Sequence, residues 1–152
     1  MANRGIWSLS AAGLTTVLSG ATLNALGSAT MSAASSTYAN QTNLDLYCDI
    51  EVFLDTLSPA AGAYVAIYIL ESVDGTNFPA QSAADLRLTS TQLLCVIPVG
   101  TTASTTQRVT ARNIIIPPAA VQFKLDNQTG VALASTNNST VKILPYSYNL
   151  NG

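Results

Sequence analysis

The feature that most constrains this chain is an unbroken alternation between residues 43 and 56. Leu44, Leu46, Cys48, Ile50, Val52 and Leu54 hold the even positions, and Asp45, Tyr47, Asp49, Glu51, Phe53 and Asp55 hold the odd ones. A period of two sends one set to a core and the other to the outside of a sheet. On a helix the same apolar residues would scatter around the axis. The fold must therefore supply a sheet with one covered face. The other face is expected to present four carboxylates interleaved with Tyr47 and Phe53.

The rest of the second half repeats strand patterns between turns. Ser58-Pro59-Ala60-Ala61-Gly62 reads as a turn, and 63–71 follows with Tyr64, Val65, Ile67, Tyr68, Ile69 and Leu70. Both faces of that run are apolar, which predicts a strand covered on both sides or lying at a subunit contact. Asp74-Gly75 marks the next turn, because glycine accepts positive φ without a steric cost. Residues 79–91 read as a loop with a short strand. Residues 93–99 read as an apolar strand, 101–106 as a polar connection, and 107–116 as a strand ended by Pro117-Pro118. Val121, Phe123 and Leu125 alternate with Gln122, Lys124 and Asp126. Short strands are expected again at 131–134 and 140–148, after turns at 127–130 and 137–138. About seven or eight short strands with frequent turns predict an all-β fold: an antiparallel β-sandwich, jelly-roll-like.

The first part of the chain is different. Residues 5–44 contain no charged side chain and are dominated by Ala, Ser, Thr, Gly and Leu. The expected organisation is a mostly extended N-terminal arm over 1–42 and a sandwich domain over 43–152. Leu14, Val17, Leu18, Ala21 and Ala25 have helical spacing, but Gly13, Gly20 and Gly27 weaken a helix by about 1 kcal/mol each. Only a short helical turn near 22–26 is expected. Ordering so polar an arm has a large entropic cost, so it must supply strands to its own sandwich or pack on neighbouring subunits. Ile6, Trp7, Leu9 and Leu14 are the candidate contact residues in it, with Tyr64 and Tyr68 from the domain.

Composition removes several functions. Charged residues are 9% of the 152, against about 25% in an ordinary soluble domain. The net charge is −2 and there is no histidine. Nucleic acid is not an expected partner of so weakly basic a chain. Histidine-dependent nucleophilic and metal chemistry is ruled out. No run approaches the roughly 18 apolar residues of a membrane span, and Ser8, Ser10, Thr15 and Thr16 interrupt the apolar stretch a secretion signal would need. Any two acids can mimic a paired-carboxylate site, so no catalytic residue, metal ligand or cofactor is assigned and no enzyme is expected. Cys48 and Cys95 read as buried free thiols or as one bridge. Sequon matches at Asn40, Asn127 and Asn138 are of the kind an Asn- and Thr-rich chain yields by chance. The face carrying Asp45, Tyr47, Asp49, Glu51, Phe53 and Asp55 admits three readings: a solvated surface, a contact for a basic partner, or a glycan or Ca²⁺ site.

Several segments carry a likeness. They are 23–29 (Leu-Asn-Ala-Leu-Gly-Ser-Ala), 38–42 (Tyr-Ala-Asn-Gln-Thr), 69–79 (Ile-Leu-Glu-Ser-Val-Asp-Gly-Thr-Asn-Phe-Pro), 125–130 (Leu-Asp-Asn-Gln-Thr-Gly) and 146–149 (Tyr-Ser-Tyr-Asn). Together they resemble small β-sandwich virion proteins of tailed bacteriophages that decorate or cement the capsid. The resemblance implies a jelly-roll-like domain, often a homotrimer, on the outer face of an icosahedral capsid, without catalytic residues. Expected partners are further copies of the chain, the major capsid protein and, in an alternative role as a head-fibre base or tail component, a fibre protein. A carbohydrate-binding module built on Tyr47, Phe53 and the acidic stripe is the remaining expectation.

Overall fold

A computed structural model describes residues 4–79 and 92–151. The elements run β1 (Arg4–Leu9), β2 (Thr15–Leu18), α1 (Gly20–Leu23), β3 (Thr30–Met31), β4 (Tyr38–Ala39), α2 (Asn40–Asn43), β5 (Tyr47–Leu57), β6 (Tyr64–Ser72), β7 (Gln92–Pro98), β8 (Thr105–Ile115), β9 (Ala120–Gln128) and β10 (Thr140–Asn151). All strand pairs are antiparallel. Sheet A has the order β1-β10-β5-β8, with β2 also on β10. Sheet B has the order β3-β9-β6-β7, with β4 also on β9. Counting β1 with β2 and β3 with β4 as two interrupted strands leaves eight among the described residues. The first then pairs with the last, the second with the seventh, the third with the sixth and the fourth with the fifth. That nesting is a jelly roll, an all-β sandwich of two antiparallel sheets.

The inner faces meet in one core. Cys48, Ile50, Val52 and Leu54 from β5 and Val141 and Ile143 from β10 oppose Val65, Ile67 and Ile69 from β6 and Phe123 and Leu125 from β9. The alternation read from the sequence thus sets the face of β5, but over a shorter span. Leu44 caps α2 in the left-handed region (φ 54°), and β5 starts only at Tyr47. Leu44 and Leu46 are exposed.

Asp45, expected on the outer face, is only 4% exposed. Tyr38 donates its hydroxyl to Asp45 Oδ2 at 2.7 Å. Asn40 accepts from the Asp45 N–H at 2.9 Å and donates to the Asp45 carbonyl at 2.9 Å. A carboxylate turned inward at the strand entrance, with its backbone clamped by one amide, fixes where the helix ends and the strand begins.

The uncharged first segment is part of the sandwich. Its strands form the outer edge of both sheets, and Val17, Leu18, Leu23 and Tyr38 enter the core. Its serines have a clear use. Between β3 and β4 the chain lifts off β9, and Ser32 and Ser35 bridge the gap. Their N–H groups donate to the carbonyls of Leu125 and Phe123, and their Oγ atoms accept the N–H groups of the same two residues at 3.0 and 2.9 Å. A hydroxyl here takes the place of a backbone carbonyl in the ladder.

Three further expectations change. The helical turn is α1, two residues earlier than read, because Gly20 must lie against Asn137. A Cβ at position 20 would come within 2.2–2.4 Å of the Asn137 backbone. Residues 131–134 are not a strand. Leu133 instead plugs the core, and its N–H donates to the Leu26 carbonyl at 2.9 Å. β9 is covered on both faces, so Lys124 and Asp126 are buried although the alternation places them outside. β6 is likewise apolar and covered on both faces at Ala66 and Leu70. The short strand expected within 79–91 lies outside the described residues, apart from Pro79, which is in irregular structure.

Candidate functional site

The outer face of sheet A reads in rows across the strands. Leu9 faces Tyr146, which faces Tyr47, which faces Ile115. In the rows beyond, Trp7 faces Tyr148, and Lys142 and Thr110 flank Glu51. β5 contributes alternate residues to this face because its other face is the core. β1 contributes Trp7 because it pairs with the end of β10.

Four rings gather there. Trp7 meets Tyr47, Tyr146 and Tyr148 edge-on, at centroid distances of 5.8, 5.3 and 5.1 Å and interplanar angles of 69°, 77° and 60°. Tyr47 and Tyr146 stack at 5.9 Å. Edge-to-face pairing suits the ring quadrupoles, so the tyrosines hold the indole from one side. It remains 61% exposed.

Beside the rings is a cleft of about 280 Å³ lined by Trp7, Leu9, Asp49, Asn113, Leu144 and Tyr146. A β-bulge shapes its floor. The register between β5 and β8 slips between Cys48 and Ile50, and Asn113 adopts a left-handed backbone (φ 57°) opposite Asp49. Asn tolerates that conformation better than most residues, and bulges redirect side chains in this way. The Asn113 N–H then donates to Asp49 Oδ1 at 3.0 Å. Tyr146 Oη lies 3.0 Å from Asp49 Oδ1 and 2.8 Å from Asn113 Oδ1, and its one proton serves both. Burial, then the bond to Asp49, raises the Tyr146 pKa above its ordinary value. At neutral pH it is a donor.

The other predicted positions separate from this cluster. Glu51 pairs with Arg108 at 2.6 Å, and Arg108 lies over the Phe53 ring at 5.1 Å. Asp55 accepts from Thr136 and Asn138 in the loop before β10. These bonds, first that from Thr136, hold its carboxyl below the usual range. Asp45 is inside. The stripe is therefore several local arrangements, of which only Asp49 lines the cleft, while Tyr47 packs against Trp7 beside it. Ile6, Leu9, Leu14 and Tyr64 are exposed and Tyr68 is half-buried. Asn113, Leu144 and Tyr146 complete the cleft; Asn113 and Leu144 had no signal in the sequence, and Tyr146 reads there, with Tyr148, only as packing or a subunit contact. The alternation of Tyr146 and Tyr148 was the available signal, but without strand order nothing joined it to Trp7.

Other groups lie away from the cleft. Both cysteines are free, Cys48 buried and Cys95 half-buried. Burial, with smaller contributions from Cys95, Asp49 and Asp45, pushes the Cys48 thiol up to about 12, and burial pushes Cys95 up to about 11. The sequon residues Asn40 and Asn127 are fully buried. Among the described residues, no group of three or more His, Cys, Asp or Glu is placed to hold a metal, and no helix is long and apolar enough to cross a membrane. What the face offers is a rigid exposed ring beside a carboxylate, an amide and a hydroxyl. No protein-family model matches the sequence, and no curated protein and no solved structure matches it.

Proposed function

We propose that this chain is a structural, non-enzymatic protein of a tailed-phage virion that decorates the outer capsid surface and cements it. One observation carries the reading: a chain with very few charges exposes apolar side chains on two separate surfaces. Leu44, Leu46 and Ile115 lie at one end of sheet A, and Tyr64, Leu93 and Val96 lie on the outer face of sheet B. Exposed apolar patches mark interaction surfaces, and two of them suit a protein seated between copies of itself and a shell. The sheet B surface then joins copies, as a trimer in the expected case, and the end of sheet A rests on the major capsid protein. Avidity over many subunits turns modest contacts into firm attachment. The jelly roll supports the reading as an architecture common in capsids, but it also serves lectins and cupins.

The test is copy number by quantitative mass spectrometry of virions from the phage encoding the chain, normalised to the major capsid protein. Hundreds of copies in fixed ratio are expected. A few tens would assign it to a fibre base or tail part, and absence would overturn the reading. Removing residues 1–20 is a poor probe of attachment, because it strips β1 and β2 and takes Val17 and Leu18 from the core. Val96→Glu keeps the core intact. It should lower the oligomer order in native mass spectrometry, and an unchanged oligomer would refute the sheet B contact.

A further inference from the structure

The cleft beside Trp7 differs from the two apolar surfaces in having a polar floor. Three tyrosines clamp the indole, yet one side of it faces solvent. Asp49 uses Oδ1 for Asn113 and Tyr146, and Asn113 uses its N–H and Oδ1. Among the described residues, that leaves Asp49 Oδ2 as an acceptor and Asn113 Nδ2 as a donor, on two residues that line the cleft together with Trp7.

We propose that this cleft binds the pyranose ring of a neutral glycan. The chemistry matches group for group. A pyranose has an apolar C–H face, which the exposed indole can stack against. Its vicinal hydroxyls offer one donor to a carboxylate oxygen and one acceptor to an amide N–H. A cleft of about 280 Å³ holds one sugar unit and lies at the small end of ligand sites. The bulge at Asp49 and the left-handed Asn113 set both polar groups before any ligand arrives, which lowers the cost of binding. The charge argues for a neutral sugar. Asp49 lines the cleft and, among the described residues, no Lys or Arg does, so an acidic sugar would meet a carboxylate there. An extended peptide would seek a free strand edge rather than a pit in the middle of a face. The site does not depend on the capsid reading, since a glycan cleft serves a virion protein or a free module equally.

Trp7 is the single tryptophan of the chain, so its fluorescence reports the site directly. The full chain is titrated with methyl glycosides of glucose, galactose, mannose and N-acetylglucosamine, and screened on an array of neutral and sialylated glycans. We expect a saturable change with at least one neutral glycoside, in the millimolar range typical of a one-sugar cleft (roughly 1 mM corresponds to a modest free energy). On the array, Trp7→Ala and Asn113→Ala should each weaken binding by about tenfold or more, whereas Trp7→Phe should retain part of it. Circular dichroism and melting of each variant separate loss of the site from loss of the fold. No saturable response from folded protein to any neutral glycan would overturn the proposal. So would binding by folded variants indifferent to Trp7→Ala and Asn113→Ala, or a preference for sialylated glycans. A sugar-independent, concentration-dependent fluorescence change that tracks dimerisation in native mass spectrometry would assign the face to a second copy instead, and would also overturn it.

Discussion

Replacing Asn127 by alanine should cost this fold as much as truncating a large core side chain. Asn127 is fully buried at the end of β9. Its Nδ2 donates to the carbonyls of Leu26, Gly27 and Val131 at 2.9, 3.1 and 2.8 Å, and its Oδ1 accepts the N–H and the hydroxyl of Thr129. One side chain thus ties the segment after α1 and the loop after β9 to sheet B. In the alanine variant Thr129 Oγ1 still reaches the Val131 carbonyl, the Leu26 carbonyl keeps the Leu133 N–H and the Gly27 carbonyl keeps the Thr30 hydroxyl. The Thr129 N–H is the group left without its partner. The orphaned N–H costs about 1–3 kcal/mol and each of the other lost bonds about 0.5–1.5 kcal/mol, and relaxation of the loops recovers part. A loss of about 3–4 kcal/mol follows, a large share of the roughly 5–15 kcal/mol by which domains are stable. With a urea slope near 2 kcal/mol/M, the midpoint should fall by about 1.5–2 M, read by far-ultraviolet circular dichroism. Asn127→Asp keeps the acceptor toward Thr129 but points a carboxylate at carbonyls, which raises its folded pKa. Its stability should be greatest below the unfolded value near 3.9 and fall as pH rises through the folded value. A fall of less than about 0.5 M for the alanine variant, at unchanged slope, would refute this account of the hub.

Two further outcomes are expected. Gly20→Ala should destabilise severely, because its Cβ overlaps backbone rather than a movable side chain. Gly13→Ala meets nothing within 4 Å and should lose only about 1 kcal/mol for its positive φ; equal losses in thermal melting would refute the close approach at Asn137. Stability should also fall as pH rises through about 9 to 12. Cys48, Cys95 and Tyr38 all have folded values above their ordinary ones, at about 12, 11 and 12, Tyr38 through burial and then its bond to Asp45. Their contribution is full below the unfolded values and is lost as each must ionise. Cys48→Ala should flatten part of that fall, and a flat profile from pH 8 to 11 would refute it.

What the sequence shows and what it hides divide along physical lines. Period two in β5 needs no partner to be read, so the core face of Cys48, Ile50, Val52 and Leu54 was legible. The same pattern ran too far at Leu44 and Asp45, because a left-handed cap and an amide clamp override alternation locally. Burial of Lys124 and Asp126 depends on the rank of β9 within its sheet, which no periodicity encodes. The edge strands were hidden because Ser32 and Ser35 complete a ladder with hydroxyls where a strand pattern would show β-branched residues. The cleft was half legible. Trp7, Tyr47 and Asp49 stood out individually, but only the pairing of β1 with β10 and the bulge opposite Asp49 bring them to Asn113 and Tyr146.

The nesting of first strand with last has a consequence in time. Arg4 pairs with Asn151 and Leu9 with Tyr146, while β10 also lies between β1 and β5. Sheet A therefore cannot close around β5 and β8 until the final strand is available, however early the rest has condensed. Such non-local pairing makes folding slow, since loop closure precedes the contacts that reward it. During synthesis the β6–β9 half can assemble first, leaving the edge of β5 open to other chains until β10 leaves the ribosome. Of the uncharged N-terminal segment, β3 and β4 can dock as soon as β9 is made, but β1 and β2, with Trp7, Val17 and Leu18, wait for β10.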